Sequence, residues 1–483
     1  MRQAPLGLVM QPSSPGVCPH PLLADARIVL GSDGDAYLIT DAVGHAQALR
    51  IRSRAFKQFC VDQARILGMP IPKRNEMAEI EHLAIAHAES SIERADVWTR
   101  VARIDGGVEI DVGDAERTRV QITADGVKEV SSSDTVFCRP LHAKPLSRPQ
   151  GPADLERLFQ HLPGSNGMRY LLVAWVTYTI AHPKDELTRY VILVLTGGQG
   201  CGKTSTTKLL QRLIDPHVVG AQVLPATVKD LAIATKAAHL VLFDNLRALS
   251  PTMADALCIA STGGALAARQ LYTDGDQHVV ALHGAMILNG LHAFVDQPDL
   301  AQRCMQLHLP KIEDGARRSE RDIETDLQRD LPQIMAGLYD LTSKVLKAMP
   351  TAEGKVSHRM IDFVRWLAAV ETVMQTPFLQ DLFVNLQAEG QREALQENLL
   401  AATLLQFAGE IGGRWSGTPS ELLDALRRKV SLPDQRSREW PSNPIALSKR
   451  LVPLIPAFAE QGIVIELSRG AERQISITLS GAF

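Results

Sequence analysis

The chain has 483 residues, a formal net charge of −3, 45% apolar and 22% charged residues. This balance excludes a disordered chain and a protein whose whole surface is basic enough to attract nucleic acid. The length exceeds what one hydrophobic core serves, so roughly two to four domains are expected. Cys18, Cys60, Cys138, Cys201, Cys258 and Cys304 are far apart and form no Cys-x-x-Cys pair, which argues against a zinc site and for a reduced, cytoplasmic compartment. The most apolar window, Tyr170–Ala181, is too short to span a bilayer. No charged-then-apolar leader begins the chain, so no membrane partner is expected.

Residues 1–24 carry Pro5, Pro12, Pro15, Pro19 and Pro21 and read as an irregular tail. Residues 25–140 read as a small α+β domain. Alternating runs at Ala36–Thr40, Ala48–Arg52, Arg100–Ile104, Gly107–Val112 and Thr118–Thr123 predict strands, several joined by Asp-Gly turns. Ser53–Leu67 and Asn75–Glu93 predict helices. His20, His45, His82, His87 and His142 lack ligand spacing and read as surface residues. The proline-spaced stretch Pro140–Pro152 reads as a linker, 141–152.

Residues 153–312 hold the chemistry. After two predicted helices within 153–182, the β-branched run Val191–Thr196 predicts a buried parallel strand. It runs into Gly197-Gly198-Gln199-Gly200-Cys201-Gly202-Lys203-Thr204, which fits G-x-x-x-x-G-K-[ST]. Glycines allow a tight turn whose N–H groups face an anion. The following segment, from Thr204-Ser205 onward, has helical spacing, so a positive helix end faces the same phosphate. Lys203 would reach the β- and γ-phosphates of ATP, and the Thr204 hydroxyl would ligate Mg²⁺. A helix near Thr227–Lys236 leads to the strand His239–Asn245. Its carboxylate, Asp244, is the second expected Mg²⁺ ligand. Ser250-Pro251 starts a helix that Gly263-Gly264 end. Arg269–Leu282 reads as a hairpin around Thr273–Asp276. Ala285–Asn289 is another buried strand, and Asp299 lies one helical turn before Arg303.

Residues 313–390 predict helices at Arg321–Met349, His358–Met374 and Pro377–Glu389. Within 391–483, Arg392–Gly409 predicts a helix. Thr418-Pro419-Ser420-Glu421 is a capping box opening a helix to about Val430, and Asn443-Pro444 starts one that ends at Gly462. Strands Ile463–Leu467 and Gln474–Leu479 follow. Helices followed by a β-ribbon give the order of a winged helix-turn-helix.

The segments TGGQGCGKT, LVLFDNL, STGGALAARQLYTDGD, AMILNG and DLAQR, in that order, resemble the superfamily 3 helicases of the AAA+ class. More closely, they resemble the ATPases of bacterial prophages and integrative elements. The resemblance implies an α/β P-loop NTPase core, AAA+-like, and a DNA-dependent ATPase acting as a replication helicase on single-stranded or forked DNA. It further implies a hexameric ring, and a primase as a candidate partner because some relatives are fused to one. By motif, Asn289 would sense the γ-phosphate or attacking water, Arg303 would be an arginine finger, and the hairpin would face DNA, with Arg269 and His283 along its stem. Lys449, Arg450, Arg469 and Arg473 would meet DNA from the winged helix. Two features depart from the pattern: Asn245 stands where many AAA+ proteins have a water-orienting Glu, so that either a carboxylate elsewhere (Asp299 or Asp274) helps or hydrolysis is slow, and the hairpin tip is acidic (Asp274, Asp276). An ATP-switched DNA-binding protein with slow turnover is therefore the alternative, and a defence or signalling ATPase a third reading.

Overall fold

The computed structural model describes residues 18, 20–24, 26–42, 45–269, 277–313, 315, 318–354, 358–437, 440–469 and 473–479. The first part contains β1 (Arg27–Gly31), β2 (Ala36–Ala42), β3 (His45–Arg50), α1 (Arg54–Ile66), α2 (Arg74–Ser90), β4 (Arg94–Ala95), β5 (Val97–Trp98), β6 (Val101–Ile104), β7 (Gly107–Asp111), β8 (Arg119–Thr123), β9 (Gly126–Val130) and β10 (Ser133–Phe137). One sheet has the order β4-β1-β2-β3-β10-β5, the other β6-β7-β8-β9. The Asp-Gly pairs make their turns because Gly106 and Gly126 take positive φ, 69° and 139°, at no steric cost. Ser53 caps α1 by accepting from the Phe56 amide at 3.1 Å, and the helix buries Phe56, Cys60 and Ala64 at fourfold spacing.

His45 corrects the surface reading: it is 3% exposed. Burial and the Arg119 guanidinium hold its imidazole below the ordinary range. An isolated histidine gives no sequence signal for this, because its burial depends on charged residues of β7 and β8 far along the chain.

The central part contains α3 (Glu156–His161), α4 (Asn166–Ala181), β11 (Ile192–Thr196), α5 (Lys203–Ile214), α6 (Val228–Ala237), β12 (Leu240–Leu246), α7 (Pro251–Thr262), β13 (Gly264–Arg269), β14 (Gln277–Leu282), β15 (Ala285–Gly290), α8 (Pro298–Ala301) and β16 (Cys304–His308). Its sheet is parallel, in the order β12-β15-β11-β16. Both faces are covered, which is why these strands are apolar without alternation. Leu193, Leu195, Leu242 and Ile287 enter one core, while Ile192, Val194, Phe243 and Leu288 enter the other. The first core continues through α4 into Val108, Ile110, Val120 and Ile122 of β7 and β8. Residues 25–140 thus share apolar contacts with the centre of the chain. The buried pair Arg100–Asp215, at 2.9 Å, joins them as well.

The stretch 141–152 is not a free tether. Leu146 is buried, and its amide donates to Val112 O at 2.8 Å. Lys144 and Gln150 amides donate to Pro216 O and Pro332 O. Proline spacing reports the absence of regular structure, not the absence of contacts.

The last part holds α9 (Glu320–Ala348), α10 (Ile361–Met374), α11 (Leu379–Glu397), α12 (Leu399–Glu410), β17 (Arg414–Gly417), α13 (Pro419–Arg427), α14 (Leu432–Gln435), α15 (Pro444–Leu451), α16 (Ile455–Glu460), β18 (Ile463–Arg469) and β19 (Arg473–Leu479). The expected helix break between Glu389 and Arg392 is absent, so the 390/391 boundary falls inside α11. Gly390 sits within that helix because Gln306 packs against its bare Cα; an added Cβ would lie 2.3 Å from Gln306 Nε2. The break comes at Asn398, whose side chain accepts from the Ala401 amide at 3.0 Å. The capping box forms as expected, with Thr418 and Glu421 exchanging bonds. β17, β19 and β18 form an antiparallel sheet. From Leu395 onward the chain has its own core around Leu404, Leu422, Leu447, Phe458 and Ile477, whereas α9 and α10 pack into the first core through Ile334, Leu338, Phe363 and Trp366.

Three histidines of the central part donate to carbonyls: His182 to Tyr178 O at 2.7 Å, His239 to Thr179 O at 3.0 Å and His283 to Thr188 O at 3.0 Å. Burial pushes each down to about 4, and Lys184 adds to the effect on His239 and His283. The folded state therefore binds fewer protons than the unfolded chain between the ordinary histidine value and about 4. Stability is full above pH ~6.5 and falls as the pH drops through that window. Urea midpoints measured from pH 7 to 4 should fall steadily, and His239→Gln should flatten the slope. An unchanged slope would assign the acid sensitivity to other groups.

Candidate functional site

Three strands deliver their ends to one edge of the parallel sheet. Leu195 lies opposite Asn289 of β15 and Leu307 of β16, and Phe243 of β12 lies opposite Leu288. In open α/β sheets this carboxyl edge is where ligands bind. From β11 the chain enters the loop 197–202 and then α5. Gly197 takes φ 146° and Gly202 φ 81°. A Cβ at Gly197 would lie 2.7 Å from Leu309 O and 2.8 Å from Cys201 Sγ, so only glycine fits. Gly202 is the N-cap of α5 and offers no side chain, which leaves the first-turn amides of the helix for a ligand.

Lys203 donates to Gly197 O at 2.5 Å and Gly198 O at 2.9 Å, and approaches Cys201 Sγ at 3.4 Å. Its ammonium is thereby held at the mouth of the loop. Gln199, Gly200, Thr204 and Ser205 are exposed beside it, while Cys201 is buried as a loop filler. Cation, helix end and inward amides together suit a polyphosphate.

Between Phe243–Leu288 and Leu246–Gly290, the register shifts so that Asp244 and Asn245 stand opposite Asn289 alone. This is a bulge of one residue. Asn245 takes the left-handed conformation, φ 62°, and donates its amide to Asp244 Oδ1 at 2.7 Å. Asparagine tolerates that conformation, whereas most side chains lose about 1–2 kcal/mol in it. The bulge explains why asparagine suits position 245. Asp244 is partly exposed, and a carboxylate is the kind of hard oxygen ligand that a magnesium ion takes.

Asn289 is 0% exposed, yet neither its Oδ1 nor its Nδ2 has a hydrogen-bond partner. A buried amide left unpaired costs about 1–3 kcal/mol. It stands between the strand that feeds the loop and the strand that carries Asp244.

Arg303 does not join this group. Its carbonyl accepts from the Ile192 amide at 2.9 Å, so it lies at the opposite, amino edge of the sheet. The side chain is 7% exposed and reaches Asp299 Oδ2 at 2.8 Å, while its Nε has no partner. Arg359, not singled out in the sequence, shares the same carboxylate at 2.7 Å; no motif spacing connects it to Asp299.

β13 and β14 pair antiparallel from Gly264–Leu282 to Arg269–Gln277, so the hairpin is present. Its tip, with Tyr272, Asp274 and Asp276, and the side chain of Arg269 lie outside the described residues. His283 is committed inward, against Thr188 O and the Tyr190 ring, and is held neutral. It does not extend the hairpin as a cation, which corrects the expectation. Lys449 and Arg450 are exposed on α15; the side chains of Arg469 and Arg473 lie outside the described residues.

Sequence reasoning missed the segment after β16. It crosses the loop: the Leu309 amide donates to Thr196 O at 2.8 Å, and Ile312 Cδ1 would lie 3.3 Å from a Cβ at Gly202. No helix of the described residues is long and apolar enough to cross a membrane, and among them no cluster of metal-ligating side chains is found.

Residues 164–386 match the family model of the actinomycete integrative conjugative element replication protein. Residues 400–482 match the model of the C-terminal domain of that replication protein. No curated protein matches the chain. Its structural neighbours include helicases. The SCCmec type IV Cch active helicase is 12% identical with a TM-score of 0.45, covering 94% of this chain and 93% of its own. The apo A form of the NrS-1 C-terminal region is 11% identical with a TM-score of 0.40, covering 98% and 100%.

Proposed function

We propose that this chain is a DNA-dependent ATPase that acts as a replication helicase of a mobile element, on a P-loop NTPase core of AAA+ type. The observation that carries the reading is Asn289, a buried amide without a partner set between the phosphate-type loop and Asp244. An attacking water or a γ-phosphate oxygen would satisfy it. Amides of Gly198–Ser205 and the Lys203 ammonium hold the phosphates of ATP. The Thr204 hydroxyl and the Asp244 carboxylate are the residues that would hold Mg²⁺, which would supply charge neutralisation for the phosphates. Asn289 then orients the water. The match of 164–386 to a mobile-element replication protein supports the replication role.

The C-terminal region, with α12, β17, α13, α15–α16 and the ribbon β18–β19 in that order, is assigned as a winged helix that binds duplex DNA. Arg303 is assigned to the site of a neighbouring subunit in a ring, because it lies at the wrong edge to serve its own loop.

One observation favours the slower, ATP-switched reading. The left-handed Asn245 cannot accept a proton, so no carboxylate stands beside Asp244 on this strand to activate water. ATP turnover with and without single-stranded DNA, beside a size measurement in ATP, separates the two. A helicase-type motor gives DNA-stimulated turnover in a ring. Assembly in ATP with turnover that DNA does not change would favour the switch, and neither assembly nor turnover would overturn both.

A further inference from the structure

The outward face of α15 has a composition that a solvated helix does not need. Leu447 and Leu451 fasten the helix to the core at 0% exposure, while Ile445 is 73% and Val452 52% exposed. Ile445, Lys449 and Val452 are spaced four and three residues apart, so they form one stripe. Single exposed hydrophobics are ordinary; two of them flanking a lysine on one face, at the start of the segment that precedes the β18–β19 ribbon, form a surface. Asn443 fixes that start by accepting from the Ala446 amide at 2.8 Å.

Charge is compatible with an acidic partner. Residues 411–483 carry ten basic and seven acidic residues, a net of +3, while the remainder of the chain carries −6. This excess favours an acidic polymer, and Lys449 puts one of its cations in the stripe itself.

Resting on the DNA-binding reading above, we propose that the α15 stripe enters the major groove and reads thymine. Ile445 and Val452 cannot hydrogen-bond to a base edge. What they can contact is the C5-methyl group, which thymine alone presents there. Lys449 between them reaches a phosphate, which positions the helix but carries no sequence information. The region thus prefers A·T-rich duplexes, by apolar contact and not by bidentate hydrogen bonds.

Uracil substitution isolates this contact, since it removes the methyl and keeps every hydrogen-bonding group. Binding of the full chain to an A·T-only duplex and to the same duplex with uracil for thymine is measured by fluorescence anisotropy at low salt. Each contacted methyl is worth about fourfold in affinity, and two about 15-fold. Ile445→Ser with Val452→Ser, both on exposed positions, should bind the two duplexes equally and keep the salt dependence of the unmodified chain. Lys449→Ala should weaken both duplexes alike and reduce the salt slope by about one. Equal affinity of the unmodified chain for thymine and uracil duplexes overturns the inference and leaves DNA binding intact. No binding to any duplex at low salt overturns both, and makes the stripe a protein-contact surface.

Discussion

A Lys203→Ala protein is expected to melt at the temperature of the unmodified chain and to lose ATP affinity by about 100-fold or more. The first half follows from what Lys203 touches. Its bonds go to two carbonyls of its own loop and a thiol, and α5 is capped by Gly202 with no side-chain contribution. Removing the ammonium leaves no buried carboxylate unpaired and opens no core. The second half follows from charge: a hydrogen bond from a cation to an anion is worth about 1.5–3 kcal/mol, and in the proposed site the lysine would address two phosphates at once. Isothermal titration with ATP and magnesium, beside a thermal melt, checks both. Undiminished ATP affinity in the folded variant would remove the loop from the nucleotide site. Loss of affinity together with a lowered melting temperature would assign Lys203 a structural role instead.

How far the sequence carried this reading depends on the range over which each feature is determined. The strand, loop and helix around Lys203 were legible because three local signals coincide within Val191–Lys208: an apolar β-branched run, glycines at special φ and a helical period. The capping box at Thr418 and the N-caps at Ser53, Ser250 and Asn443 are equally local, and each appears where its residue type stands. The bulge at Asp244–Asn245 was not legible. It is a property of register against β15, and the sequence showed only an asparagine where a glutamate is common. The inward commitment of His283 and the burial of His45 arise from partners tens of residues away. The contact of Arg359 with Asp299 spans 60 residues, so only the folded chain discloses that two arginines share one carboxylate. The helix through Gly390 shows the same limit: glycine reads as punctuation locally, and here it makes room for Gln306.

That shared carboxylate bears on the second large effect, the loss of turnover in Arg303→Ala. At the amino edge of its sheet, Arg303 cannot approach its own loop at the carboxyl edge. In the proposed ring it would serve a nucleotide that another subunit brings. Leaving its pocket would not orphan Asp299, because Arg359 continues to hold Oδ1, and the Arg303 Nε already lacks a partner there. The guanidinium is therefore anchored through an ion pair that has a substitute. Loss of an arginine finger costs about 10³-fold or more in rate, with ATP binding retained, since the finger stabilises charge that develops only in the transition state. Arg303→Ala and Lys203→Ala should each be inactive alone. In a mixture, some intact loops stand beside some intact arginines, and part of the turnover should return. Arg303→Lys keeps the charge but not the planar fork, and should recover little. A mixture as inactive as its components, with both proteins still assembling in ATP, would show that Arg303 holds α8 to β16 and takes no part in a neighbour's chemistry.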